Sequence, residues 1–201
     1  MENFANASKN VNVCVVCFCK EHDLLSQWRG YSGGSYGYSI GFDTDSLNNL
    51  ASRRKFVLGG CIYCKADQQR IVREICDRCL NSAMTDTIAL LAEFTESIIK
   101  VGAFFKDASF KQEDEWRLVS KPINAAELHF QQGKSMIRPY CKFGFSDAAI
   151  VEGVTVGPCP HPQLSVNTVA SFLWKENTKG RLSPRLGPLP VRRSEIPYRD
   201  W

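Results

Sequence analysis

The sequence predicts an α+β fold with a mixed, mainly antiparallel sheet and flanking helices. Strand-like and helix-like segments intermix along the 201 residues, without the regular strand–helix alternation of a doubly wound fold. An apolar content of 44% and a charged content of 23% are those of an ordinary globular protein that buries a core. Because no linker separates the apolar segments, we expect a single domain over residues 1–201.

The first half of the chain begins with a strand-like run and a short amphipathic segment. Val11 to Cys19 is rich in β-branched residues and apolar at successive positions, which predicts a strand covered on both sides. Asp23 is placed to cap a helix whose Leu24, Leu25 and Trp28 face the core. Periodicity then predicts strands over 36–42 and 55–64 and helices over 44–52, 66–80 and 85–105.

The second half continues this mixture and ends in a segment rich in Gly and Pro. The patterns predict strands over 113–120 and 148–156 and a helix over 165–174. Residues 176–194 are expected to form a surface loop or tail. The late arginines are expected on a solvated tail: Arg181, Arg185, Arg192, Arg193 and Arg199.

Composition narrows the classes of partner and compartment. The net charge of +4, from 25 basic and 21 acidic residues, is well short of a nucleic-acid-binding composition, so nucleic acid is a disfavoured partner. No apolar run reaches the roughly 18 residues of a membrane span, and the polar start does not resemble a signal peptide. Nine cysteines without an export signal indicate mostly free thiols and a cytoplasmic location.

The strongest candidate for chemistry is the segment from Glu113 to Arg117. On a strand, residues two apart share a face, so Glu113, Glu115 and Arg117 would lie together. Such a group can hold a sugar by its hydroxyls, stabilise a positively charged transition state, or serve as acid and base. The alternative is a solvent-facing polar strand edge with Glu–Arg pairs.

A second candidate is the aromatic and glycine-rich segment at Trp28, Tyr31 and Ser32, which continues into Gly33 and Gly34. Aromatic rings beside glycine backbone can stack a ligand ring and admit a phosphate. The glycines match neither established phosphate-loop pattern. The alternative is a packing tryptophan followed by a tight turn.

Two Cys-x-x-Cys pairs, Cys61 with Cys64 and Cys76 with Cys79, are candidate zinc ligands. Eleven residues separate the pairs, and the flanking residues are apolar, so we expect buried thiols and no bound metal. The three histidines, His22, His129 and His161, have no partners at ligand or triad spacing.

Several short motifs, in order, resemble an uncharacterised bacterial family, the domain of unknown function 2971. They are Cys17-Phe18, Asp23-Leu24, Trp28-x-x-Tyr31, Gly37-x-x-Ile40-Gly41-Phe42-Asp43, Phe110-Lys111-x-Glu113-x-Glu115-Trp116-Arg117, Val156-Gly157-Pro158 and Ser194-x-Ile196-Pro197-Tyr198-Arg199. The resemblance runs from about Val13 to Arg199. Family members carry a longer N-terminal segment, which we expect to be missing here.

The resemblance implies a role in conflict with phages or mobile elements. A weaker similarity, a glycine-containing strand followed by a Glu-x-Glu strand, links the chain to mono-ADP-ribosyltransferases. It implies NAD as substrate, Glu115 and Glu113 as catalytic residues, and Trp28, Tyr31, Ser32 and Arg117 as binding residues. In those enzymes the missing segment would carry the residue that grips NAD. The alternative function is a non-enzymatic protein-binding or regulatory module, using Tyr31, Tyr36, Tyr38 and the basic tail.

Overall fold

The computed structural model describes residues 11–32, 36–83, 86–144, 150–179 and 189–198. Gly33, Gly34, Arg181, Arg185 and Arg199 lie outside these residues. The helices and strands, in chain order, are β1 (Val11–Asn12), β2 (Val15–Cys19), α1 (Leu25–Tyr31), β3 (Tyr38–Phe42), α2 (Thr44–Arg53), β4 (Phe56–Gly60), α3 (Lys65–Leu80), α4 (Thr87–Gly102), a 3₁₀ helix (Ala108–Glu113), β5 (Glu115–Ser120), β6 (Ile123–Asn124), a second 3₁₀ helix (Ala125–Glu127), β7 (His129–Gln132), β8 (Ile137–Tyr140), β9 (Val151–Val156), α5 (Pro162–Thr178) and β10 (Val191–Arg193).

The predicted α+β class is confirmed. Helices accompany mostly antiparallel strand pairs, namely β1 with β6, β3 with β9, β4 with β5 and β7 with β8, whereas β9 and β10 pair in parallel. The contacts of the chain group into two compact units. The first unit comprises residues up to 18 and 51–143, and the second comprises 19–50 and 144–201.

The first unit is built on a three-stranded sheet in the order β2–β5–β4. In the antiparallel pair of β4 and β5, Leu58 lies opposite Leu118, and Leu118 and Val119 are almost fully buried. The central strand is therefore also the strand that carries the candidate Glu-x-Glu segment. The expectation that Val11–Cys19 is covered on both sides is wrong, because β2 is an edge strand and Val15 and Val16 are exposed.

The two long helices of the first unit, α3 and α4, pack against each other. Both lie close to their predicted bounds, since a period near 3.6 is a strong signal over sixteen residues. Asp86 caps α4 by accepting hydrogen bonds from the backbone N–H groups of Ile88 and Ala89. Among the described residues, no helix combines the length and apolar character needed to cross a membrane.

The second unit contains a three-stranded sheet in the order β10–β9–β3, with α5 packed against β9 and β10. The expectation that 176–194 is a loop is wrong at both ends, because α5 continues to Thr178 and Val191–Arg193 forms β10. The backbone of β9 supplies the partner for β10, and three residues show no periodicity of their own. Residues 180–188 lie outside the described part of the chain.

Candidate functional site

Glu115 and the four side chains around its carboxylate form one group in the first unit: Cys17, Lys106, Glu113 and Arg117. We call this group the Glu115 cluster. Glu115 is the first residue of the central strand β5 and only 6% exposed. The alternative of a solvent-facing strand edge is wrong about the position and exposure, because the strand is central and the carboxylate is buried, but the Glu–Arg pair that it included is present between Glu115 and Arg117.

The backbone changes from a 3₁₀ helix to an extended strand within three residues at this point. Glu113 ends the 3₁₀ helix, Asp114 has a left-handed φ of 39°, and Glu115 begins the strand. The expectation that Glu113 lies on the strand, two residues from Glu115 on one face, is thus wrong. Aspartate tolerates the left-handed region better than most residues do, which explains why the change of conformation occurs at Asp114.

The carboxylates of Glu113 and Glu115 share Lys106 despite that break. The Lys106 Nζ lies 2.6 Å from Glu113 Oε2 and also donates to Glu115 Oε2. Arg117 donates from Nε to Glu115 Oε1 at 2.7 Å, and from Nη1 to the carbonyl oxygen of Ala103 at 2.6 Å. Two carboxylates and two cations therefore neutralise one another in a largely buried network.

Burial alone would raise the pKa of the Glu115 carboxyl, but hydrogen bonds from Arg117, Cys17 and Lys106 lower this pKa to about 2. Glu115 is therefore ionised at neutral pH. Desolvation, and the hydrogen bond that the Cys17 thiol donates to Glu115, raise the pKa of Cys17 to about 11. Cys17 is thus a neutral hydrogen-bond donor and not a reactive thiolate.

The surrounding backbone and side chains hold the cluster in place. The Glu115 N–H donates to the Tyr63 hydroxyl oxygen at 2.8 Å, and its carbonyl accepts from the Cys61 N–H at 2.8 Å. Gln68 Nε2 donates to the carbonyl oxygens of Ile62, at 2.6 Å, and of Lys106, at 3.0 Å. These bonds fix the strand end and the lysine backbone before any ligand binds.

Sequence reasoning missed Lys106, Tyr63 and Gln68 as parts of the site. Lys106 stands nine residues before Glu115, between two helical segments, and no local pattern marks it. Cys17 did carry a signal, since it belongs to the first of the short motifs. Tyr63 and Gln68 make hydrogen bonds to residues that are 52 and 38 positions away in the sequence. Residue spacing cannot reveal such nonlocal contacts.

The other predicted binding residues, Trp28, Tyr31 and Ser32, belong to the second unit. Trp28 is 8% exposed, and a Cβ on Gly37 or Gly157 would lie within 3.2 Å of its ring, so both glycines permit close packing. Ser32 donates its hydroxyl to the Trp28 carbonyl oxygen at 2.5 Å. Tyr31 is 77% exposed and is the member of the three that presents a ring to solvent.

Asp23 does not cap α1, contrary to the prediction. The N-cap is Leu24, whose side chain makes no capping hydrogen bond. Asp23 Oδ1 instead accepts from Trp28 Nε1 at 2.7 Å and from the Ser194 hydroxyl at 2.6 Å, while Oδ2 accepts from the Glu195 N–H at 2.8 Å. Tertiary partners thus replace the local cap.

The four cysteines of the Cys-x-x-Cys pairs lie around the start and along the length of α3. Cys61 follows β4, Cys64 is the N-cap of α3, and Cys76 and Cys79 lie within that helix. In the described part of the chain, no group of three or more His, Cys, Asp or Glu side chains is arranged to hold a metal ion. No disulfide joins cysteines within the described residues.

Comparison with known proteins gives one match. Residues 27–118 match the sequence profile of a family described as protein of unknown function (DUF2971). This segment belongs to the DUF2971 family. No curated protein and no solved structure matches the chain.

The DUF2971 segment covers somewhat less than half of the 201 residues, a narrower range than the expected Val13 to Arg199. It contains every member of the Glu115 cluster except Cys17, together with Trp28, Tyr31 and Ser32. The family description names no activity.

Proposed function

We propose that this DUF2971 protein is an ADP-ribosyltransferase-like enzyme that breaks the nicotinamide–ribose bond of NAD. The observation that supports this most is the buried, ionised Glu115, which shares a lysine with Glu113 at the start of a central strand. Breaking that bond leaves the electron pair on nicotinamide and a positive charge on the sugar, as in glycoside cleavage. A fixed carboxylate stabilises such a charge.

Glu115 retains acceptor capacity for a ribose hydroxyl. An ionised carboxylate offers roughly four lone-pair positions. Among the residues that the structure describes, three side chains donate to it, those of Arg117, Lys106 and Cys17. One position therefore remains for a substrate hydroxyl, and the three donors would hold the carboxylate still during the reaction.

Glu113 would act on the acceptor, which is the molecule that receives the ADP-ribosyl group. Its side chain is about a quarter exposed, against 7% for the side chain of Glu115, so it is the carboxylate that an incoming nucleophile reaches first. As a general base it would take the proton of the attacking group while the acceptor bonds to the sugar carbon. The expectation that Trp28, Tyr31 and Ser32 bind NAD stays a prediction, since these residues belong to the second unit.

The cellular role that we propose is conflict with phages or mobile elements, which rests on the family resemblance. A cytoplasmic location agrees with the absence of disulfides from the described residues, because reducing compartments disfavour disulfides. The acceptor would then be a macromolecule of the cell or of the invading element.

The proposal predicts that Glu115→Gln abolishes NAD cleavage. Full-length protein is incubated with labelled NAD and bacterial lysate, and both nicotinamide release and label transfer are measured. Loss of one transition-state contact typically costs about 10²–10³ in rate, so we expect that drop for Glu115→Gln. Glu113→Gln should reduce label transfer more than nicotinamide release, since water can replace the acceptor.

Glu74→Gln is the matched control. It removes a carboxylate from an exposed ion pair on α3 and should leave both rates unchanged. Thermal unfolding of each variant separates loss of chemistry from loss of fold. Activity that survives Glu115→Gln, or a wild-type protein that neither binds nor cleaves NAD, would contradict the proposal.

A second candidate function, protein binding, is favoured by exposed apolar side chains in the second unit. Tyr31, Tyr36, Tyr38 and Ile40 are each more than half exposed, and β3, which carries two of them, is an edge strand. Edge strands with exposed side chains pair with extended peptides. A pull-down should then recover a stoichiometric protein that Tyr36→Ser with Tyr38→Ser loses and the exposed Phe130→Ser control retains.

A further inference from the structure

The second unit contains a cavity of about 700 Å³ that the Glu115 cluster does not use. Three parts of the chain line it: His22, the segment with Gly157, Pro158, Cys159 and Pro162, and residues 192–198. Its volume lies within the range of roughly 300–1,000 Å³ that is typical of small-molecule sites. Two of the short motifs, Val156-Gly157-Pro158 and Ser194-x-Ile196-Pro197-Tyr198, contribute to its wall.

The charge on the wall favours an anion. Arg192 and Arg193 both line the cavity and are exposed. Among the described residues, neither arginine side chain makes an ion pair, and Glu195 is the single acidic residue on the wall. Guanidinium groups bind phosphate by paired, charge-assisted hydrogen bonds.

Asp23 preorganises the wall that follows the arginines. It accepts from the Ser194 hydroxyl at 2.6 Å and from the Glu195 N–H at 2.8 Å, and the Ile196 N–H donates to the Ser194 hydroxyl oxygen at 3.0 Å. The Ser194 N–H also donates to the Val156 carbonyl oxygen at 2.7 Å. A turn held at four points needs little ordering when a ligand binds, which favours affinity.

The opposite segment is fixed as well. The Gly157 N–H donates to the Gly37 carbonyl oxygen at 2.9 Å, and Gly157 lies against the Trp28 ring, where a Cβ would approach within 2.9 Å. Pro162, the first residue of the seventeen-residue helix α5, also lines the cavity. The positive end of that helix adds to the potential of the two arginines.

We propose that this cavity binds a phosphorylated small molecule through Arg192 and Arg193. The arginines hold the phosphate oxygens, and the remaining volume accommodates the group that the phosphate carries. The site is independent of NAD cleavage by the Glu115 cluster, since its residues lie outside the cluster and outside the DUF2971 segment.

The test uses the full chain with inorganic pyrophosphate and with ADP as probes. Calorimetry measures affinity, and amide chemical shifts locate the bound probe. We expect saturable one-to-one binding of at least one probe, with shifts concentrated at the amides of Gly157, Cys159 and the non-proline residues of 192–198. Tighter binding of ADP than of pyrophosphate would identify a nucleotide ligand, whereas equal affinities would identify the phosphates alone as the recognised group.

The variant Arg192→Gln with Arg193→Gln should weaken binding by roughly 10–100-fold, the usual effect of losing charge-assisted hydrogen bonds. Its matched control, Arg73→Gln with Arg78→Gln, removes the same charge from exposed positions on α3 and should bind as the wild type does. Equal weakening in both variants would reveal nonspecific charge attraction and overturn the proposal. Binding of neither probe at millimolar concentration, or shifts located elsewhere, would overturn it as well.

Discussion

Glu115 shows how one buried carboxylate couples stability to pH. Its pKa is about 2 in the folded chain against an ordinary value of 4.5, because hydrogen bonds from Arg117, Cys17 and Lys106 outweigh burial. A lowered pKa means that the ionised form stabilises the fold above pH 4.5. That stabilisation is lost as pH falls from 4.5 towards 2, since the unfolded chain takes up the proton first.

The wild-type protein should therefore lose up to ~3 kcal/mol of unfolding free energy through Glu115 across that window, at 1.36 kcal/mol per pKa unit. Urea unfolding at a series of pH values measures the loss. Glu115→Gln should be less stable at pH 7, because it leaves Lys106 and Arg117 short of a counter-charge, and its stability should fall less steeply between pH 4.5 and 2. An equally steep acid loss in the variant would show that other carboxylates control it.

At the scale of elements, the junction between the first 3₁₀ helix and β5 decides how the two glutamates meet. Asp114 adopts φ 39° and ψ 52° there, and Lys55, before β4, has φ 60°. The left-handed region costs a non-glycine residue roughly 1–2 kcal/mol, and a β-branched residue tolerates it worst. The conformation is therefore maintained by the contacts on either side of it, including the lysine that the two glutamates share.

Substitutions at Asp114 test that junction. Asp114→Gly should be as stable as the wild type or more so, whereas Asp114→Val should lower the unfolding free energy by about 1–2 kcal/mol. Urea denaturation gives both values. Lys55→Gly, at the other left-handed position, is the parallel control and should also be neutral or stabilising. Equal stability of the valine and glycine variants at position 114 would contradict a left-handed Asp114.

Periodic elements could be predicted from the sequence, and irregular or nonlocal ones could not. The spacing of apolar residues predicted α3 and α4 close to their observed ends because each spans four turns. The prediction put Glu113 on the strand because the alternation of residue types along a strand does not reveal a single left-handed residue. Short strands such as β7, β8 and β10 owe their existence to partners elsewhere in the chain.

At the scale of the whole molecule, the division into two units could not be read from the chain order. Each unit combines an early and a late segment, and composition does not change at residue 18, 50 or 143. Each unit has its own three-stranded sheet, with β5 in the centre of one and β9 in the centre of the other. Both central strands carry nearly fully buried residues, Leu118 and Val119 in β5 and Val156 in β9.

This arrangement predicts two separate maxima of amide protection. A central strand is hydrogen-bonded on both edges and exchanges its amide hydrogens only when neighbouring strands part, so its amides are protected close to the global stability. Native-state hydrogen exchange followed by NMR should place the slowest amides in β5 and β9, ahead of the edge strands β3, β4 and β10. If the amide protection of β5 and of β9 decreases over the same range of denaturant concentration, the two units unfold together. If the protection of the two strands decreases over different ranges of denaturant concentration, each unit unfolds as its own cooperative element. Slowest exchange in the exposed β7–β8 hairpin would contradict the assignment of β5 and β9 as the two structural centres.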